Sequence, residues 1–319
     1  MEYNKIEFLR YISNHDIKGV INYLQQIPEK QEEYKRYVSV FESEQYEDLT
    51  DNQELNDLLK VYHKYYRNVF YLKIDRNIAT ATMTQDFIEI LNIDQEVLEI
   101  ENLNFDDDIE DKYVRPIFEK NGYSFLGGDT SGFYGPYIWQ DSYLKTFDVE
   151  LPFSHEEYTI RINSGFISNS WLDFISQGVT GTGGWAGKDG IINCNAGKYD
   201  FEGGIFQVSL LKHEAQHILD NKTYQDMETA DLEYRAKLIE LIYSNDIEML
   251  KGFARDARND DETNGHQISQ YKIKNEFEKE LATRKIDALS DNDITEVNKI
   301  AEELYVKSNN EMDKKYERK

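Results

Sequence analysis

Along the first third of the chain, apolar residues recur at three-and-four spacing. Ile17, Val20, Leu24 and Ile27 follow Asp16, whose side chain is suited to accept the first free N–H groups of a helix. Leu55, Leu58, Tyr62, Tyr65 and Val69 repeat the same rhythm. Both spacings predict amphipathic helices with one face on a core. The tyrosines of VYHKYYRNVFYL are expected in that core rather than on a binding surface.

The pattern changes in the middle third. Fifteen of the 18 glycines lie between Gly122 and Gly204, and Pro116, Pro136 and Pro152 fall in or just before that interval. Between these breaks stand the short apolar and aromatic runs PYIWQ, KTFDVEL, EYTIRI and IINC, read as strands of one sheet over 137–195. SNSWLDFISQ interrupts them as a short helix ended by Gly178. Helical periodicity returns at Phe206. It continues to a last helix carrying Ile294, Val297, Ala301 and Leu304, with Asp293 and Glu296 placed like a capping box. The pattern predicts an α+β chain: a mostly helical region over 1–115, then a domain over 116–319. No fixed-period repeat is present. The acidic cluster DDDIEDK at 106–112 lacks the alternation of a calcium loop and reads as a solvated linker.

Composition narrows the function. Sixty-one acidic against 36 basic residues give a net charge of −25, the wrong sign for gripping phosphate backbones or an anionic membrane. Nucleic acid and membrane are therefore not expected as partners. Cys194 is the only cysteine, so no intramolecular disulfide forms. The stretch MEYNKIEFLRYISNHD has no apolar core of a signal peptide, which makes the cytoplasm the expected compartment.

Two glycine-rich patterns mislead. GTGGWA satisfies the loose form of a dinucleotide fingerprint, but a strand-like segment follows where a helix should open on the pyrophosphate. Gly187-Lys188 suggests a phosphate loop, yet Asp189 stands where Ser or Thr is needed and Thr182 where Gly is needed.

The segment with the most specific chemistry is HEAQH at 213–217. Two histidines four apart on a helix project from one face, close enough for both imidazoles to reach a single zinc ion. Glu214 lies one step round the helix from His213, so it is placed to act as a base on water rather than as a ligand. Val208, Leu211, Ala215, Ile218 and Leu219 form the expected buried stripe, with His213 and His217 on its edge.

A third ligand must come from elsewhere. The pattern with a later third histidine fails, because Asp220 and Thr223 occupy its glycine and histidine places. Cys194 sits in IINCNAG, an unpromising context for a thiolate ligand, and reads as a small buried residue at a strand end. The next helix, ETADLEYRAKLIELIYS, offers Glu233 first, Glu228 second and Glu240 third. Leu232, Ala236, Ile239 and Tyr243 mark its buried stripe, and Glu233 borders it, where a carboxylate needs a partner. Asp220 could orient a ligand, although the end of a helix suits a carboxylate facing solvent.

HEAQHILD followed by DLEYRAKLIEL resembles the gluzincin group of zinc metallopeptidases, and is especially similar to bacterial proteins that pair an HEAQH-like helix with an LEYRAKL-like one. The resemblance spans about residues 205–245. It implies a zincin-like domain with metal helices at 206–220 and 227–244 and one zinc per chain. His213, His217 and Glu233 would be its ligands and Glu214 the general base, acting on a peptide or protein substrate. It also implies an upstream sheet whose edge strand binds extended peptide, and a His or Tyr donor, for which His266 and Tyr271 are available. Two other readings stand beside it. One is a zincin-like scaffold whose metal is structural or silent. The other is a zinc hydrolase of a non-peptide amide, since HExxH specifies activated water rather than a substrate.

Overall fold

The computed structural model describes residues 2–94, 105–187, 191–258 and 265–319, with backbone alone at 105–108 and 186. The fold is α+β and mostly helical. Its described helices are α1 (Lys5–Ser13), α2 (Ile17–Gln25), α3 (Gln31–Tyr37), α4 (Gln53–Tyr66), α5 (Arg76–Ile90), α6 (Arg115–Lys120), α7 (Ser170–Ser176), α8 (His213–Thr223), α9 (Thr229–Tyr243), α10 (Glu248–Asp256), α11 (Gly265–Glu280) and α12 (Ile294–Lys315). The described residues divide into two compact units. One holds Met1–Tyr143, Ile162–Gly187 and Asn193–Ala196; the other holds Leu144–Arg161, Lys188–Ile192 and Gly197–Lys319.

In the first unit, Asp16 Oδ1 accepts the N–H of Gly19 at 2.8 Å, which starts α2 where the sequence predicts. Ile17, Val20, Leu24 and Ile27 are all buried, as are Tyr62, Tyr65 and Tyr66 of α4. This core also takes in Phe118, Phe125, Ile138, Trp171 and Ile175. The division between units therefore does not fall at the composition shift near 115. Glycine and proline content registers turns, whereas unit membership depends on which core an apolar side chain enters.

The acidic cluster is helical rather than a linker, and although Asp111 and Lys112 are exposed as expected, Glu110 is not. Phe105–Val114 is π-helical, and Glu110 is 1% exposed. Its carboxylate accepts hydrogen bonds from the Tyr62 hydroxyl and the Gly128 N–H, both at 2.5 Å. A buried carboxylate is tolerable only with such partners, and they come from segments distant in sequence.

The strands β1 (Ser124–Leu126), β2 (Asp129–Thr130), β3 (Phe133–Tyr134), β4 (Tyr137–Trp139), β5 (Asp141–Leu151), β6 (Ser154–Ser164), β7 (Ser168–Asn169), β8 (Gly184–Ala186) and β9 (Ile192–Asn195) do not form one sheet. The PYIWQ strand β4 lies between β1 and β7, β2 pairs with β3, and a four-stranded sheet has the order β5-β6-β9-β8. Alternation predicted strands but not their partners, because pairing is set by distant segments. The helix α7 ends as expected, with Gln177 (φ +49°) and Gly178 (φ +82°) left-handed. The GTGGWA segment supplies β8 and opens no helix; Lys188 and Asp189 lie outside the described residues.

In the second unit, α9 is in contact with α8, α11 and α12. Every residue from Glu233 to Leu241 is buried, so a single stripe is too narrow a description of this helix. The capping box before α12 is Ser290 with Asp293, one turn ahead of the expected Asp293–Glu296 pair. Glu296 instead pairs with Arg284. Among the described residues no helix is long and apolar enough to cross a membrane.

Candidate metal centre

The centre is built by α8 and α9. A π-helical segment, Ile205–Lys212, runs directly into α8, and its Phe206 packs against Phe147 of β5 at 5.5 Å between ring centroids. Lys212 donates to the Glu150 carbonyl at 2.6 Å, and Lys222 pairs with the buried Glu156 of β6 at 2.6 Å. These contacts fix both ends of α8 against the hairpin formed by residues 144–161.

The buried face of α8 differs from the expected apolar stripe. Ala215, Gln216 and Asp220 are completely buried, while Ile218 and Leu219 are only half-buried. Asp220 does not face solvent: both its oxygens accept from Arg235 Nε at 2.9 Å. Gln216 accepts from the Tyr305 hydroxyl at 2.8 Å. Polar side chains can replace Ile and Leu on an inner face when paired in this way.

The turn of α8 places His213 and His217 side by side. Their Nε2 atoms are 3.0 Å apart, and the rings are nearly perpendicular. Facing them, α9 presents Glu233, Lys237 and Glu240 at steps of four and three, along one side of a helix. Glu233 lies 3.4 Å from His217 Nε2 through Oε1 and 3.7 Å from His213 Nε2 through Oε2. Four ligands around a zinc ion at about 2 Å are separated by roughly 3.3 Å along the edges of a tetrahedron. The two imidazole nitrogens and one carboxylate therefore have both the chemistry and the spacing of three zinc ligands. One ligand atom from each lies within 4.8 Å of those from the other two.

The sequence left three glutamates open, and the structure gives each a distinct place. Glu233 faces the Nε2 atoms. Glu240 is on the other side of the His213 ring, with Oε1 2.7 Å from Nδ1. Glu228 precedes α9 with an exposed side chain and pairs with Lys315 at 2.8 Å. Cys194 is absent from the cluster; burial pushes its thiol up to about 12, so it remains protonated.

Two side-chain nitrogens close on the back of Glu233. Lys237 Nζ is 2.6 Å and His266 Nδ1 2.8 Å from Oε2. Burial alone would raise the Glu233 carboxyl, but hydrogen bonds from His217 and His266, together with the Lys237 charge, hold it well below the usual carboxylate range. Lys237 was not singled out from sequence. The signal was available as a Glu-Lys pair four residues apart, although such pairs usually lie on solvated faces. His266 is brought to the cluster through Glu233, whereas Tyr271 is exposed on the same helix.

Glu214 is half-buried and one step round α8 from His213. Tyr158 of β6 is close enough that the charge of Glu214 adds to burial in raising its phenol. His217 Nδ1 is buried and has no hydrogen-bond partner. No known protein family, curated protein or solved structure matches the chain.

Proposed function

We propose that this protein is a zinc-dependent metallopeptidase with a zincin-like second unit. The observation that carries the reading is the convergence of His213 Nε2, His217 Nε2 and the Glu233 carboxylate at 3.0, 3.4 and 3.7 Å. When bound, zinc supplies Lewis acidity and lowers the pKa of water at its open position. The protein's part is positioning and proton transfer. Lys237 and His266 fix Oε2 of Glu233 and leave Oε1 turned toward His217. Glu240 holds the proton on His213 Nδ1, which keeps the Nε2 lone pair on the cluster side. Glu214 takes the proton of the attacking water and passes it to the leaving amine.

The β5-β6 hairpin beside α8 supports the zincin-like assignment. β5 is an edge strand of its sheet, and an extended peptide can add to such an edge through main-chain hydrogen bonds.

The test is elemental analysis of the purified protein after reconstitution with zinc, beside His213→Ala and Glu233→Ala, followed by peptide-library cleavage. One equivalent of zinc in the parent, lost in both variants, and metal-dependent cleavage are expected. Absence of specific zinc would leave the cluster as an ion-pair network between α8 and α9. Full zinc without peptide cleavage would favour a silent site or a non-peptide amide substrate.

A further inference from the structure

Both oxygens of Glu233 face the histidine pair: Oε1 is 3.4 Å from His217 Nε2, and Oε2 is 3.7 Å from His213 Nε2. A carboxylate so placed can give a metal one oxygen or two. Two imidazoles and one oxygen make a three-ligand site suited to a four-coordinate zinc ion, whereas a second oxygen favours ions that seek six or more ligands. The number of free oxygens therefore bears on which metal is held.

That number is decided behind the carboxylate. Lys237 stands four residues after Glu233 on α9, so its ammonium falls on the same side of the helix, one turn further on. Its side chain is 5% exposed, and Nζ lies 2.6 Å from Oε2. His266 Nδ1 is 2.8 Å from the same oxygen and 3.1 Å from Nζ. An ionised carboxylate oxygen has about two lone-pair sites. Two nitrogens thus crowd Oε2, while Oε1 is left to the histidine side.

Of the two nitrogens, Lys237 is the more firmly held. Phe253 of α10 flanks it, with Nζ 5.9 Å from the ring centroid, and a buried ammonium must keep its acceptor. His266 is 66% exposed. It reaches Oε2 because α11 starts close to α9, where a Cβ on Gly265 would lie 2.8 Å from Thr229 Cγ2. Lys237 also brings a full charge, and charge-assisted hydrogen bonds are roughly twice as strong as neutral ones.

Building on the zinc centre proposed above, and whatever its substrate, we propose that Lys237 is a positioning residue that confines Glu233 to one metal-binding oxygen. It thereby selects four-coordinate, zinc-like ions over six-coordinate ones such as manganese.

The test loads the full chain, Lys237→Met and Lys237→Arg with cobalt(II), whose visible absorption is intense when four-coordinate and weak at higher coordination. Chelator competition then gives the zinc(II) and manganese(II) affinities of each. The parent should show the intense spectrum. In Lys237→Met the spectrum should weaken and the zinc-to-manganese affinity ratio fall by about tenfold, within the range for altering a ligand's hydrogen-bond partner. Lys237→Arg keeps a charged donor and should stay near the parent. If Lys237→Met does not fold, Lys237→Gln, uncharged and one atom shorter, carries the same expectation. Deleting a positive charge alone would tighten both ions together and move neither ratio nor spectrum. A weak spectrum in the cobalt-loaded parent overturns the proposal without any variant. So does an unchanged ratio and spectrum in a folded Lys237→Met, or a shift that follows His266→Ala instead. A parent that binds neither cobalt nor zinc overturns the metal centre itself, and this proposal with it.

Discussion

Glu240 Oε1 sits 2.7 Å from His213 Nδ1, with both side chains about one-tenth exposed. An ionised carboxylate can only accept, so Nδ1 carries the proton and Nε2 is left with its lone pair for a metal.

Replacing Glu240 should therefore weaken zinc binding without removing a ligand. Glu240→Ala is expected to lower zinc affinity by about 10–100-fold. Glu240→Gln, whose carbonyl can still accept, should lose less. Competition against a chromogenic chelator measures both. An unchanged affinity in Glu240→Ala would show that the ring orientation of His213 needs no support from α9.

Glu214 separates binding from turnover. Glu214→Gln should retain one equivalent of zinc while kcat on a cleaved peptide falls by about 10²–10⁴-fold, the range for losing a general base. Full turnover in that variant would assign proton transfer to another group.

The Asp220–Arg235 pair is the most deeply buried ion pair linking α8 to α9, with side chains 1% and 3% exposed. Breaking it alone leaves an uncompensated buried charge. Asp220→Ala should cost about 3–5 kcal/mol in denaturant unfolding. The double variant Asp220→Ala/Arg235→Met should recover part of that loss. A double variant no more stable than the single one would mean that the pair also holds the shape of this interface.

His63 makes the first unit acid-sensitive. Burial, helped by the charge of Lys60, lowers it from 6.5 to about 3, so it stays neutral in the fold. The unfolded chain binds a proton there below about pH 6.5, and the folded chain does so only near pH 3. Stability is thus lost as pH falls through that window. Between pH 6.5 and 5, above the range where most carboxylates titrate, His63→Gln should show a flatter dependence of unfolding free energy on pH than the parent. Equal slopes would contradict the neutral, buried imidazole.

Several features were legible from local order alone. Asp16 and the apolar residues after it specify the start and buried face of α2, because capping and periodicity operate within a few residues. The i,i+4 spacing of His213 and His217 places both imidazoles on one side of α8. Glu233 could be singled out as a carboxylate bordering an apolar stripe.

Tertiary structure decided what those side chains meet. Periodicity reports the hydrophobicity around the axis of one helix, but a charged residue can be buried when a partner arrives from another element. Asp220 is inside because Arg235 faces it, and Glu110 is inside because Tyr62 and Gly128 do. The same dependence gives Glu233 to the histidine pair, Glu240 to the far side of His213 and Glu228 to Lys315. The strand PYIWQ joined a different sheet from KTFDVEL, since register is settled by the partner. His63 and Tyr66 line one cavity with Ser170 and Gln177, from a segment a hundred residues further along the chain. A cavity exists only when separate elements close around it, and no local pattern in the sequence records that closure.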